Sequence, residues 1–228
     1  ATSYGQNIIH YWSFNSGSTT TASAKWTSPI SADSTLAAPD TASMTHNITK
    51  TEDFAGNSAN APVGVGSGGA FCPQDMANNG NGFTLLLPST GKNVDQLSWW
   101  MRRTSSGFDS LIVEYSTNGT TFMSHPQSPV LVTSTSSSGT VFMLDFDTIA
   151  GADSNANFSV RFTLYGATSG TGNARLDNLM LTEKSATPPP PPAPIPHYAL
   201  GTVTSIDSNG VADSLNVSCS ISGVVHGL

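Results

Sequence analysis

Basic residues are scarce in this chain. Lysine and arginine number 8 against 15 acidic residues, a formal net charge of -7. No basic stripe is available to follow a phosphate backbone, so nucleic-acid binding through this chain is not supported. Cysteine is nearly absent, with only Cys72 and Cys219. Two thiols build neither a disulfide scaffold nor a four-ligand zinc site, and nothing in the spacing demands a Cys72–Cys219 bridge. That pairing stays open. No run of 18 apolar residues occurs, so no helical membrane span is expected. Helical periodicity is missing throughout.

Catalytic signatures are missing too. Serine and threonine abound, yet no Gly-x-Ser-x-Gly nucleophile elbow is present. His10, His46, His125, His197 and His226 are scattered without metal-ligand spacing. Asp145, Asp147 and Asp153 suggest an acid/base pair only by proximity, because none has a partner of defined role. These absences read against an enzyme within these residues, while a catalytic domain further downstream stays compatible with them.

What the chain has in plenty is Ser, Thr, Asn and Gly, together with short aromatic runs. Polarity with only 10% charged residues suits an extracellular β protein whose loops are built from small polar residues. A chain that opens with Ala1 fits a mature secreted form.

The most informative stretch is Gln96 to Phe122, which reads as two strands joined as a hairpin. Leu97, Trp99 and Met101 alternate with Ser98, Trp100 and Arg102, so one face is apolar and the other mixed. Thr104-Ser105-Ser106-Gly107 supplies the turn. Leu111, Val113 and Tyr115 then alternate with Ile112 and Glu114, and Asn118-Gly119 is a strong signal for a tight reversal.

Around this stretch, residues 7–15, 82–88, 130–133, 141–146, 157–165 and 174–182 read as further strands. The clearest alternation is Asn157 to Tyr165. There Phe158, Val160, Phe162 and Leu164 face inward, while Ser159, Arg161, Thr163 and Tyr165 face outward. Residues 18–69 look irregular. Loop-length priors imply that they hide two or three short strands or long excursions over one end of a sandwich. Gly64–Gly69 has no helix after it, which removes a phosphate-cradling reading.

Pro188 to Pro196 is a spacer in polyproline II, spanning roughly 28 Å. Beyond it, 198–206 and 215–225 read as two strands around the turn Asp207-Ser208-Asn209-Gly210. They are too few to bury a core of their own. The expected organisation is a β-sandwich or barrel over 1–185, a Pro-rich linker over 186–197 and an incomplete second β domain over 198–228. The chain reads as a fragment.

Three segments carry a family resemblance: Leu97–Arg103 with Glu114–Gly119, Asn157–Phe162, and Gly172–Leu179. Together they resemble the jelly-roll accessory modules of secreted, Bacteroidetes-like bacterial proteins, similar to carbohydrate-binding modules, over roughly residues 7–183. The tail from Ala199 faintly resembles the opening of an OB-like barrel. The resemblance implies a non-catalytic binding or adhesion module at the cell surface, with a polysaccharide or surface glycan, or a protein, as partner. The rival reading is a structural or secretion-related accessory domain without a small-molecule ligand.

In related sandwiches a structural Ca2+ is held between the first strand and the last. By that resemblance Asn15 and Asp177 are the candidate metal ligands, with an alternative in which Asp177 accepts a backbone N–H or pairs with Arg175. For a sugar, the chemistry requires an exposed aromatic platform flanked by groups that bond hydroxyls. Trp100, Arg102, Glu114, Arg161 and Tyr165 lie on the non-aliphatic faces of their strands, and share one surface if those strands are neighbours. The competing reading packs Trp100 under a long loop, such as part of 18–69, with the charges paired on a covered sheet.

Overall fold

Alternation of apolar and polar residues marks the clearest strand of the chain, Ser159–Tyr165. The computed structural model describes residues 7–16, 26–37 and 40–184, with short stretches at 197–199, 208–210 and 220–222. In chain order the strands are β1 (Asn7–Trp12), β2 (Ile30–Ser31), β3 (Ser34–Thr35), β4 (Ser43–His46), β5 (Thr51–Ala55), β6 (Gly69–Pro73), β7 (Gly82–Leu86) and β8 (Val94–Arg103). They continue as β9 (Ser110–Ser116), β10 (Met123–Ser124), β11 (Val130–Leu131), β12 (Thr140–Asp145), β13 (Ser159–Tyr165), β14 (Ala174–Glu183), β15 (His197–Ala199) and β16 (Ser220–Ser222). Four of the short ones, β2 to β5, lie in the 18–69 stretch that periodicity could not resolve.

Two antiparallel sheets make an all-β sandwich. The first runs β12-β8-β14-β1-β3, with β6 on β14 and β5 on β6; the second runs β10-β9-β13-β7-β4-β2, with β11 on β9. Their inner faces share one apolar core. Leu97, Trp99 and Met101 of β8 and Leu176, Leu179 and Leu181 of β14 meet Val113 of β9, Phe83 of β7 and Phe162 of β13, all essentially without solvent contact. Phe158, Val160, Phe162 and Leu164 are all buried, as the alternation of β13 required. Burial at this scale is the main stabilising term, at about 1.5–3 kcal/mol for each large side chain.

The hairpin reading of Gln96–Phe122 is corrected. β8 and β9 lie in different sheets: β8 pairs with β12 and β14, while β9 pairs with β13, β10 and β11. The Thr104–Gly107 turn is a corner that carries the chain across the core, closed by Gly107 N donating to Thr104 O at 2.9 Å. It crosses because the apolar sides of the two strands bury more by facing each other than by lying side by side. The Asn118-Gly119 reversal does form as expected, joining β9 to β10. There Asn118 Oδ1 accepts from Thr120 N at 2.9 Å and Thr121 N at 2.8 Å, and Gly119 takes φ 76°.

By its contacts the chain divides into Ala1–Ser185 and Ala186–Leu228. In the second unit β15 and β16 pair in parallel, His197 with Ser220 and Ala199 with Ser222. The Pro188–Pro196 spacer and Cys219 lie outside the described residues, and Cys72 is a buried free thiol. No helix among the described residues is long and apolar enough to cross a membrane.

Candidate functional site

Outward-facing residues of the second sheet line up in a row across five strands. Ser124 of β10 stands opposite Glu114 of β9, Glu114 opposite Arg161 of β13, Arg161 opposite Thr84 of β7, and Thr84 opposite Thr45 of β4. Each is placed there by the alternation that sends its neighbours into the core. Arg161 and Glu114 form an ion pair, with Nη2 and Nε donating to Oε2 at 2.8 and 2.9 Å. The Phe122 ring lies 4.1 Å from Arg161 Cζ and steadies the guanidinium from its other side.

Four residues of this row, Thr45, Thr84, Glu114 and Arg161, floor a groove of about 610 Å³ that Asn47 and Tyr165 also line. Tyr165 closes β13 with 44% of its surface exposed, which leaves a ring available at the groove. Asn47 is fixed at the rim, where its Oδ1 accepts from Gly82 N at 2.8 Å. The lining therefore offers hydroxyls, an amide, a matched pair of charges and one accessible aromatic ring. Such a surface suits a polar, uncharged ligand bearing many hydroxyls.

The expected five-residue surface is split between the two sheets. Glu114, Arg161 and Tyr165 share the groove, whereas Trp100 and Arg102 lie on β8, in the other sheet. Trp100 is 1% exposed, and its Nε1 donates to Ser138 O at 2.7 Å. It therefore cannot serve as an open platform. The covering loop is 134–139, and its closeness depends on Gly139, where a Cβ would come within 2.4 Å of the indole in a backbone with φ +60°. Gly139→Ala is expected to lift this loop, red-shifting tryptophan emission and costing about 1–3 kcal/mol in a urea melt. Unchanged emission would mean that the loop does not depend on this approach.

Thr45, Asn47 and Thr84 were missed by sequence reasoning. The Ser-Met-Thr-His alternation around buried Met44 was a signal for β4, but four residues are too short to stand out.

The candidate metal ligands also take their places. Asp177 is buried on β14, where Oδ2 accepts from Asn57 N and Oδ1 from Asn178 N, both at 2.7 Å. These N–H bonds pull its carboxyl down, burial pushes it up, and burial prevails, leaving it at about 7. Asn178 accepts from the Tyr11 hydroxyl, and Asn60 Nδ2 donates to Asn178 O at 2.8 Å. Asn15 borders the same 56–68 loop, with Nδ2 donating to Gly66 O at 3.2 Å. Both Asp177 oxygens thus accept backbone N–H bonds. Among the described residues, no three His, Cys, Asp or Glu side chains converge to hold an ion. Through Asn57 N, Asp177 clamps the 56–68 loop to β14.

Asp145 and Asp147 line a smaller groove of about 330 Å³ with Asp95, Gln96 and Gln127. Asp147 and Asp153 both pair with Lys184, at 2.9 and 3.3 Å, and Asp153 also accepts from Val94 N at 2.7 Å. Those partners give Asp147 and Asp153 structural roles at the strand ends. His10, fully buried, bonds Pro88 O at 2.6 Å and Thr35 Oγ1 at 3.1 Å, a core role.

Comparison with known proteins follows this geometry. No protein-family model and no curated protein matches the chain. Among solved structures, a CBM22-1 xylan-binding domain from Paenibacillus barcinonensis matches at TM-score 0.45 and 11% identity, over 80% of this chain and 98% of that one. A cleaved adhesin domain of Lys-gingipain from Porphyromonas gingivalis matches at TM-score 0.38 and 16% identity, over 77% and 98%. The module TmCBM61, solved with β-1,4-galactotriose, matches at TM-score 0.38 and 10% identity, over 65% and 90%. In fold, the chain resembles carbohydrate-binding modules and an adhesin domain.

Proposed function

We propose that this chain is a non-catalytic carbohydrate-binding module of a larger secreted or cell-surface protein, holding a neutral polysaccharide on the outer face of its second sheet. The observation that carries this reading is the polar row across β4, β7, β9 and β13 that floors a groove with Tyr165 exposed beside it. Tyr165 offers the apolar face of a pyranose a ring to stack on. Arg161 and Glu114 neutralise one another, so together they present donors and acceptors to hydroxyls without a net charge that would demand a charged sugar. Thr45, Thr84 and Asn47 extend the same chemistry along the row.

The test is affinity electrophoresis and calorimetry across a panel of soluble polysaccharides, with wild type, Tyr165→Ala and Arg161→Ala. Losing a stacking ring or a charged hydrogen-bond partner is expected to weaken binding by about 10- to 100-fold. Met143→Ala, on the other sheet, is expected to bind as wild type does. Retention of full affinity by the Tyr165→Ala, Arg161→Ala double variant would remove the groove as the site. A flat response to the whole panel would instead favour the accessory-domain reading without a small-molecule ligand.

A further inference from the structure

Arg102 of β8 and Arg175 of β14 are direct cross-strand partners on the outer face of the first sheet. Like charges set opposite one another in a sheet repel, and such pairs destabilise unless something neutralises them. Three other basic side chains are matched with carboxylates, Lys92 with Glu183 at 3.3 Å, Lys184 with Asp147 and Asp153, and Arg161 with Glu114, while Lys50 Nζ donates to Gly170 O at 3.3 Å. Arg103 is spent on carbonyls, with Nε on Val132 O at 2.7 Å and Nη1 on Thr104 O and Ser105 O at 3.1 and 2.8 Å.

The opposed pair has no such provision. Neither arginine has a carboxylate partner among the described residues. Arg102 Nη2 reaches only Thr135 O at 3.2 Å, and Arg175 Nη1 only Ala55 O at 3.4 Å. The Nε atoms of both are buried with no hydrogen-bond partner. The Phe54 ring lies 4.3 Å from Arg175 Cζ and fixes its plane. Cys72 cannot supply the missing negative charge, because burial pushes its thiol well above the usual range. Burial also lowers Arg175, and the neighbouring Arg102 adds to that effect. Both forks are thus held, partly desolvated and unneutralised, in a protein whose overall charge is negative.

We propose that Arg102 and Arg175 form an oxyanion site that takes a sulfate or carboxylate group across the two guanidinium forks. Two planar forks at cross-strand spacing match the oxygens of a single oxyanion, and charge-assisted bonds of this kind are the strong ones. Ser134 and Ser136 flank in sequence the Thr135 whose carbonyl holds Arg102, and their hydroxyls lie 3.3 Å apart. The site lies on the sheet opposite the neutral groove, so it stands or falls independently of the function proposed above. The oxyanion can be a free inorganic ion or a substituent of an acidic polysaccharide, and both present the same atoms to the arginines.

The experiment titrates sulfate by calorimetry, with chloride at matched ionic strength as the background, into wild type, Arg102→Gln, Lys50→Gln and Arg102→Gln/Arg175→Gln. Arg102→Gln and Lys50→Gln change the net charge equally, so they separate a site from a general charge effect. Affinity is expected to fall about tenfold in Arg102→Gln, to vanish in the double variant and to stay unchanged in Lys50→Gln. Affinity electrophoresis in dextran sulfate, with neutral dextran alongside, then separates the sources. Retardation by dextran sulfate that tracks the same variants assigns a polymer-borne group, while sulfate binding without retardation assigns a free anion. Equal sulfate affinity in wild type, Arg102→Gln and Lys50→Gln, or no sulfate binding by wild type, overturns the proposal. Should the double variant not fold, Arg102→Gln against Lys50→Gln decides alone.

Discussion

Trp99→Ala is expected to lower the unfolding free energy by about 3–5 kcal/mol, the range for emptying the site of a large buried aromatic residue. The side chain has no solvent contact. It stacks on Phe142 of neighbouring β12 at 5.7 Å and 21°, and meets Phe162 of the opposite sheet edge-on at 5.2 Å and 80°. One residue thereby ties β8 to its own sheet and to the facing one. Its indole Nε1 is buried without a hydrogen-bond partner, a burden of about 1–3 kcal/mol that the packing overcomes. Trp99→Phe keeps most of the ring contact and removes that donor, so its cost is expected to stay below about 1.5 kcal/mol. Urea melts of the two variants make the comparison, with the slope checked for constancy. If phenylalanine cost as much as alanine, the ring contacts would not be what Trp99 contributes.

The same strand shows how far the sequence could be read. Period 2 correctly puts Trp99 inward and Trp100 outward. It distinguishes the faces of a strand and says nothing of what later lies over the outer one. Trp100 is covered by a loop nearly forty residues downstream, whose approach depends on the missing side chain of Gly139. Neither fact has a local signature. The Thr104–Gly107 turn fails for a related reason, since Ser, Thr and Gly serve a hairpin and a corner between sheets equally well. β13 was legible because Phe158 through Leu164 alternate without a break. With it, the outward placing of Arg161 and Tyr165 was legible too. That Glu114 sits opposite Arg161 required the register, which depends on pairing across about fifty residues of chain. Asp177 was legible only as an acid on the closing strand of the sandwich. Its role as a loop clamp depends on Asn57, in a stretch without periodicity.

Asp177 is where the second large effect is expected. Its carboxyl stands at about 7 in the folded chain against 3.8 for the unperturbed group, a difference of roughly 4 kcal/mol. Because the folded value is raised, the native state binds more protons than the unfolded state between about pH 4 and pH 7. Stability from this group is therefore complete at low pH and is lost as pH rises through 7. His10 and His125 act in the opposite sense. Burial lowers both, so they cost stability as pH falls below about 6.5. A melt of wild type alone would mix these slopes, whereas the difference between wild type and Asp177→Asn cancels the histidines. Asparagine keeps one acceptor but turns an NH2 toward either Asn57 N–H or Asn178 N–H, an offset that does not vary with pH. The difference in unfolding free energy, wild type minus variant, is expected to fall by about 3–4 kcal/mol between pH 4 and pH 7.5 and to be level above that. A difference curve flat across the range would show the carboxylate ionised throughout, with its two N–H bonds outweighing the cost of burying the charge.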